Sequence, residues 1–547
     1  MSLRAAFPLA LLVCVSVACA EDESPGGSSE GGSGGAGAGE QGGNGGNPVP
    51  TEAQMVAASA PDEHTVVAEL EGTLEEVPDV LSAYELSSDF GALPVTSIDF
   101  DAAANTITLT TEKQKLGVTY FLTIKHPGSP LDQDSKQFLS ADTATFWATD
   151  FADFSDFEVV ATRLAVGEKI VFYGTDASYI DGVDEALDVF DNQIFPKETA
   201  VFNAMGDLDG NGKMVALGLD GHGYYGGYFG PVNSLTQEEA EQLGFKTNSM
   251  EMLYISFPDL VDGPSGNGWS PEQVLPHEFS HLLYNESHGL FDSDWSWHNE
   301  GLAECAVHVV HGVNPSLWFY THESSMLGDG QSLVIWEYSN YSQYIQAYVF
   351  WTYVASRLGG VPNYGDLFAL DGDPANIDAF LQAELGQGLA ATQLDFMTAA
   401  YLQQPTGSYG FDGMLQLGGV PQLASSASVD LPPFTGVLLS APSNGVSPIG
   451  AGGSVVHRGV VDSAPDLVAP FDVAGGAVIA LNTDPNPDPE NPAEQSSGTL
   501  GAAFAGNPRS SALRGGGSNN ELWKHPPPLK PANMDAVRAW RKAAHGF

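Results

Sequence analysis

The sequence predicts an α+β fold, with a mixed centre whose second half is helical and a β-rich region on either side. Three observations lead there. Residues 51–157 hold short, often alternating apolar runs ("NTITLTTE", "GVTYFLTIKH"), the pattern of half-buried strands. Between 158 and 404 come three continuous apolar runs ("KIVFYG", "KMVALGLDG", "EMLYISF"). Helical periodicity follows near Leu275–Tyr284, Glu300–His311, Tyr341–Leu358 and Asn376–Leu402. From 405 to about 505, Gly, Pro and Ser become frequent and short apolar runs return ("FTGVLLSAP", "AVIALN"), which predicts a second β-rich domain.

The ends read differently. Arg4, the apolar run Ala5–Val17 and Ala18-Cys19 form an export signal over residues 1–19. Ser16-Val17-Ala18-Cys19 resembles the lipobox of bacterial lipoproteins, although Ser16 stands where an aliphatic residue is usual. That resemblance implies a lipid on Cys19. Residues 20–50 are a Gly/Ser-rich flexible tether too poor in apolar groups to bury a core. The expectation is an exported protein, lipid-anchored at a bacterial envelope or surface and otherwise secreted. Residues 506–547 form a basic Pro/Gly-rich tail carrying seven of the nineteen Lys and Arg.

Across 547 residues, 69 acidic groups against 19 basic ones give a net charge of -50. That balance argues against binding nucleic acid, or an anionic membrane, through a basic surface. Of three cysteines, Cys14 leaves with the signal, and with Cys19 lipidated as the lipobox resemblance implies, only Cys305 remains. No intrachain disulfide and no cysteine zinc cluster can form. Oligomeric state is not legible.

The chemistry concentrates in "PHEFSHLLYNESHGLFDSDWSWHNEGLAE", Pro276–Glu304. His277-Glu278-Phe279-Ser280-His281 fits H-E-x-x-H, and residues four apart share a helix face, so both imidazoles can converge on one ion. Glu278 is turned by about 100° and can reach a water beside that ion without coordinating it. Ser270-Pro271-Glu272-Gln273 is a helix-start signal. Pro276 predicts either a later start or a kink. Glu300, with eighteen residues between it and His281, opens a second helix as the third ligand. Glu304 lies on the same face as Glu300. It reads either as the acceptor for a ligand histidine's second N–H or as a solvated carboxylate. His288, His298, His308 and His311 read as surface or core residues, because a catalytic zinc needs only three protein ligands.

"HEFSH…WHNEGLAE" resembles the gluzincin metallopeptidases, and the hyicolysin-type neutral metallopeptidases within them. Softer likenesses include "MGDLDGNGKMVALGLD", "GYYGGYFGPVNSL" and "YIQAYVFWTYVASRLG", covering roughly Val201–Gly359. The resemblance implies a zincin-like catalytic domain and a zinc-dependent endopeptidase acting on protein or peptide substrates. Its zinc ligands would be His277, His281 and Glu300, and its general base, acting on a zinc-activated water, Glu278. Tyr344 is the candidate oxyanion donor, ahead of Tyr348. Zinc aminopeptidases with the same spacing carry a G-x-M-E-N strand that holds the substrate amine. Here Asn248–Met252 keeps only Met-Glu, which makes Glu251 a candidate substrate-binding residue and the strand Glu251–Ser256 a candidate peptide-binding edge. The alternatives are thus an aminopeptidase, or a non-catalytic surface-anchored adhesin. Asp207–Gly212 opens like a Ca²⁺ loop, but its twelfth position, Gly218, lacks the bidentate glutamate such a loop needs. A polar turn is the expectation there. Gly221–Gly230 reads as a cleft loop or a plain turn.

Overall fold

The computed structural model describes residues 53–499 apart from several internal stretches, the longest being 257–270, 318–331, 442–453 and 486–497. The expected signal, the tether, Cys19 and the basic tail lie outside the described residues, as does Ser270. The architecture is α+β. In chain order the strands are β1 (Gln54–Asp62), β2 (Thr65–Glu71), β3 (Tyr84–Ser88), β4 (Gly91–Ala92), β5 (Val95–Asp101), β6 (Thr106–Thr111) and β7 (Thr119–Ile124). They continue with β8 (Ser135–Leu139), β9 (Thr143–Asp150), β10 (Ser155–Val166), β11 (Ile170–Gly174), β12 (Met214–Leu219), β13 (Gly227–Phe229) and β14 (Met252–Ser256). Ten of them form one sheet in the order β13-β14-β12-β11-β10-β9-β1-β2-β6-β5, and β4-β3-β7-β8 form another.

The apolar runs explain the middle of the large sheet. β11, β12 and β14 are buried at every position and pair in parallel. Strands covered on both faces read as unbroken apolar runs. Alternate residues feed two cores: Phe172, Ala216 and Ile255 face the helices, while Tyr173, Leu217 and Tyr254 face the other way. β2 and β6 alternate buried and exposed positions, as half-covered antiparallel strands do.

The helices are α1 (Val183–Val189), α2 (Phe195–Val201), α3 (Gln237–Leu243), α4 (Pro271–His288), α5 (Ser296–His311), α6 (Tyr341–Leu358), α7 (Tyr364–Phe368), α8 (Pro374–Leu385) and α9 (Leu389–Leu402). α4 continues through Pro276 rather than starting there. α5 packs on α6 at Gly301, where a Cβ would stand 2.6 Å from Ala347 Cβ and 2.7 Å from Trp351 Cδ1. Only a glycine admits that approach. Among the described residues, no helix is long and apolar enough to cross a membrane.

The predicted domain limits cut through continuous structure. The limit at 157 falls inside β10, which pairs with β9 on one side and β11 on the other. Beyond 405, strands Gly436–Ser440, Val455–Val460 and Ala477–Asn482 form a sheet. Its Leu438, Val460 and Ile479 share a core with Phe396 and Met397 of α9. Asp395 pairs with Arg458 at 2.5 Å across the same junction. Short apolar runs signal strands but not which core receives them, so the limits were not readable from the runs alone.

Candidate metal centre

α4 and α5 bring three predicted residues together. His277 Nε2 and His281 Nε2 are 3.2 Å apart, and each lies 3.3 Å from Glu300 Oε2. His277 is buried, and the His281 and Glu300 side chains are nearly so. For a tetrahedral ion with ligand bonds of about 2.0–2.1 Å, the ligand atoms should stand about 3.3 Å from one another. The observed triangle fits that requirement, and the donor set of two imidazoles and one carboxylate suits zinc.

The second ring nitrogens are also engaged. His281 Nδ1 donates to Asn299 Oδ1 at 3.0 Å, and His277 Nδ1 faces Glu304 Oε1 at 3.5 Å. Both contacts direct the Nε2 lone pairs at the shared point. Glu304 is fully buried and accepts a hydrogen bond from Asn314 Nδ2, so it is not a solvated carboxylate. Burial opposes a charge on His277, yet Glu300, Glu304 and Glu278 outweigh it and raise its pKa well above the ordinary value. The carboxylates that hold a proton there are arranged to hold a cation instead.

Glu278 is buried, and its Oε1 has no hydrogen-bond partner among the described residues. Burial raises its pKa, helped by Glu300 and Glu304 and opposed by the two histidines. Gly227 of β13 makes room for it. A Cβ on Gly227 would stand 2.6 Å from Val274 Cγ1 and 2.9 Å from Glu278 Cγ. Gly227→Ala should therefore displace Glu278 and, if the site is a metallopeptidase centre as its resemblance implies, lower kcat by about 10²-fold while metal content stays unchanged. Parallel metal analysis and steady-state kinetics check this, and a normal kcat would mean that β13 does not position the base.

Tyr344 is fully buried, and its ring centroid lies 6.4 Å from that of His277. Tyr348 is turned elsewhere: its hydroxyl meets the Asn314 amide N–H and His308 Nδ1, each at 3.1 Å. The structure does not bring Glu251 to the metal group. Glu251 sits with Asp207 and Asp209, their ligand atoms within 4.8 Å of one another. Nor is Glu251–Ser256 an edge: β14 is paired by β12 on one side and β13 on the other. Among the described residues the edge belongs to β13, from the Gly-rich stretch 221–230.

Two residues near the centre carried no sequence signal of their own. Asn299 is visible only as the neighbour of Glu300. Glu198 of α2 is fully buried, and neither carboxylate oxygen has a hydrogen-bond partner among the described residues. Burial pushes its pKa well up, and His277 pulls it back. No spacing rule links it to the H-E-x-x-H segment.

His298 and His308 are structural. His298 Nε2 meets the Leu367 carbonyl at 3.0 Å, and His308 lies against the Tyr348 and Tyr364 hydroxyls. Burial lowers His308 to about 4 from the ordinary 6.5. Unfolding frees this ring to take up a proton, so its cost is absent above about pH 6.5 and grows as pH falls towards 4, reaching on the order of 3 kcal/mol. His308→Gln should flatten that part of the stability–pH curve measured by denaturant unfolding. An unchanged slope would show that the ring already titrates in the fold. Cys305 is buried, and its thiol points to the Tyr348 carbonyl at 3.9 Å.

Comparisons with known proteins give no family. No protein-family model matches the chain, and no curated protein matches it. Among solved structures, the N-terminal part of the bacterial S-layer protein SbsC is similar at 13% identity and a TM-score of 0.16, over 18% of this chain and 25% of that one. Group B Streptococcus pullulanase SAP is similar at 12% identity and a TM-score of 0.13, over 18% of this chain and 15% of that one. The chain spans at most about a quarter of either protein, and likenesses this slight carry no argument about its fold or activity.

Proposed function

We propose that the protein is an exported zinc metallopeptidase that cuts protein or peptide chains internally. The observation that carries this reading is the triangle of His277, His281 and Glu300, with sides of 3.2–3.3 Å, beside the buried carboxylate of Glu278. Zinc bound by these three residues would supply a Lewis acid that polarises a carbonyl and lowers the pKa of a water. Glu278 takes the proton of the attacking water and returns it to the leaving amine. Asn299 and Glu304 hold the imidazoles in the tautomer that presents Nε2. Tyr344 is the phenol offered to the developing oxyanion.

The sheet supports internal cleavage. β13 is the edge strand among the described residues and packs on Glu278 through Gly227, so an extended peptide added to that edge would pass beside the base. The glutamate that would hold a free amine in an aminopeptidase, Glu251, is instead committed to Asp207, Asp209 and the Leu208 amide N–H. Metal analysis should find about one zinc per chain, and N-terminally blocked peptides should be cleaved as fast as free ones. Cleavage restricted to free N-termini would favour the aminopeptidase. A zinc-loaded chain that hydrolyses neither casein nor peptides would favour an adhesin-like module.

A further inference from the structure

A second cluster of hard oxygen donors lies outside the metal centre. Asp207 and Asp209 stand on the turn between α2 and β12, and Glu251 directly precedes β14. One carboxylate oxygen from each comes within 4.8 Å of the other two. Glu251 is only 4% exposed. Its Oε1 accepts the Leu208 N–H at 2.8 Å, which turns the carboxylate towards the Asp207–Asp209 turn. Its Oε2 is buried and has no hydrogen-bond partner among the described residues. A buried carboxylate oxygen without a donor is costly unless a proton or a cation satisfies it.

The surrounding groups do not supply that cation. Lys115 is the ammonium nearby, and it donates to the Gly210 carbonyl at 2.7 Å. Among the described residues, none of the three carboxylates forms an ion pair with Lys or Arg. Burial, with Glu251 and Asp207 adding repulsion, raises Asp209 to about 7 despite Lys115. The turn itself is held open in a fixed shape. Asp207 Oδ1 accepts the Gly212 N–H at 2.9 Å, and the Asp209 carboxylate accepts from the Asn211 backbone and side chain at 3.2 and 2.9 Å. Gly210 and Gly212 take left-handed φ of 69° and 70°, which this tight turn requires. Asp207 is exposed and provides the entrance.

We propose that Asp207, Asp209 and Glu251 form a structural Ca²⁺ site. An all-oxygen donor set without imidazole or thiolate favours a hard cation over zinc. Two carboxylates on a turn with its own backbone carbonyls, and a third from beside β14, suit the larger, more tolerant Ca²⁺ better than Mg²⁺. The sequence hides the site because Gly218, the position where a contiguous loop would need its last carboxylate, is buried in β12. The acidic group comes from another strand instead. The turn also touches residues 115–116, where Asn211 Nδ2 donates to the Leu116 carbonyl at 3.3 Å. It meets α4 as well, where a Cβ on Gly206 would stand 2.7 Å from Glu286 Oε1. A bound ion would therefore fasten the 113–118 segment, the parallel strands and the helix of the H-E-x-x-H residues at one point.

Calorimetric titration of the full-length, chelator-treated chain with CaCl₂ tests the site. One Ca²⁺ should bind per chain with a dissociation constant between about 1 µM and 1 mM, and should raise Tm where equal MgCl₂ does not. Asp209→Asn and Glu251→Gln should each weaken binding at least about tenfold, whereas His277→Ala leaves it intact. No Ca²⁺ uptake and no Tm change in the wild type would overturn the proposal, whether or not the variants fold. Wild-type affinity in either carboxylate variant would also overturn it, since the uptake would then belong to the acidic surface at large. Zinc content and peptide cleavage are read separately, so this site and the metallopeptidase reading can fail independently.

Discussion

Glu278→Gln is expected to lower casein and peptide hydrolysis by about 10²- to 10⁴-fold while zinc content and Tm stay close to wild type. Glutamine keeps the size and most of the polarity of the side chain, but it cannot take a proton from the attacking water. The site is tight enough to make that substitution informative. Glu278 is buried between β13 and the candidate metal ligands, so close to the strand that a Cβ at Gly227 would stand 2.9 Å from its Cγ. The loss should fall on kcat, because the proposed mechanism has Glu278 act in the transition state rather than in holding substrate. A variant that hydrolyses casein at the wild-type rate would sink the assigned mechanism, even with zinc bound.

His281→Ala is expected to empty the metal centre. Zinc would fall from about one per chain to a small fraction of that, and hydrolysis would fall with it. The side of the triangle opposite His281 would remain, with His277 Nε2 and Glu300 Oε2 still 3.3 Å apart. Two ligands cannot complete the three-residue set that catalytic zinc requires. Variants of the supporting residues give the internal scale. Asn299→Ala and Glu304→Gln leave all three ligands in place and should weaken zinc binding about 10- to 100-fold, less than loss of a ligand. If His281→Ala retained one tightly held zinc, the three-residue assignment would be wrong. If Asn299→Ala bound zinc normally, only the orienting role of that side chain would fall.

Much of the candidate site was legible because helical spacing is a local rule. His277, Glu278 and His281 share a helix, and Glu300 and Glu304 share another, so i,i+4 arithmetic fixed their mutual directions. The long apolar runs that became β11, β12 and β14 were legible for the same reason. What stayed hidden depends on contacts between distant segments. Nothing in "GYYGGYFG" says that Gly227 abuts Glu278, and nothing in "FPKETAV" says that Glu198 is buried near His277. Glu251 was drawn to substrate by its Met-Glu context, yet its strand has neighbours on both sides and its carboxylate turns to Asp207 and Asp209. Strand order decides such matters, and strand order is not written in any single strand.

The unbroken pairing of β9 with β10 bears on how the protein could be held latent. Register runs from Ser155↔Asp150 to Thr162↔Thr143, and β10 continues into its pairing with β11 beside the parallel strands. A protease that excised residues 54–150 as an inhibitory leader would strip β9 away and leave the long β10 as a raw, adhesive edge. Trimming that keeps β10 covered must therefore spare β9. Latency imposed by excising residues 54–150 would leave this sheet with a new open edge.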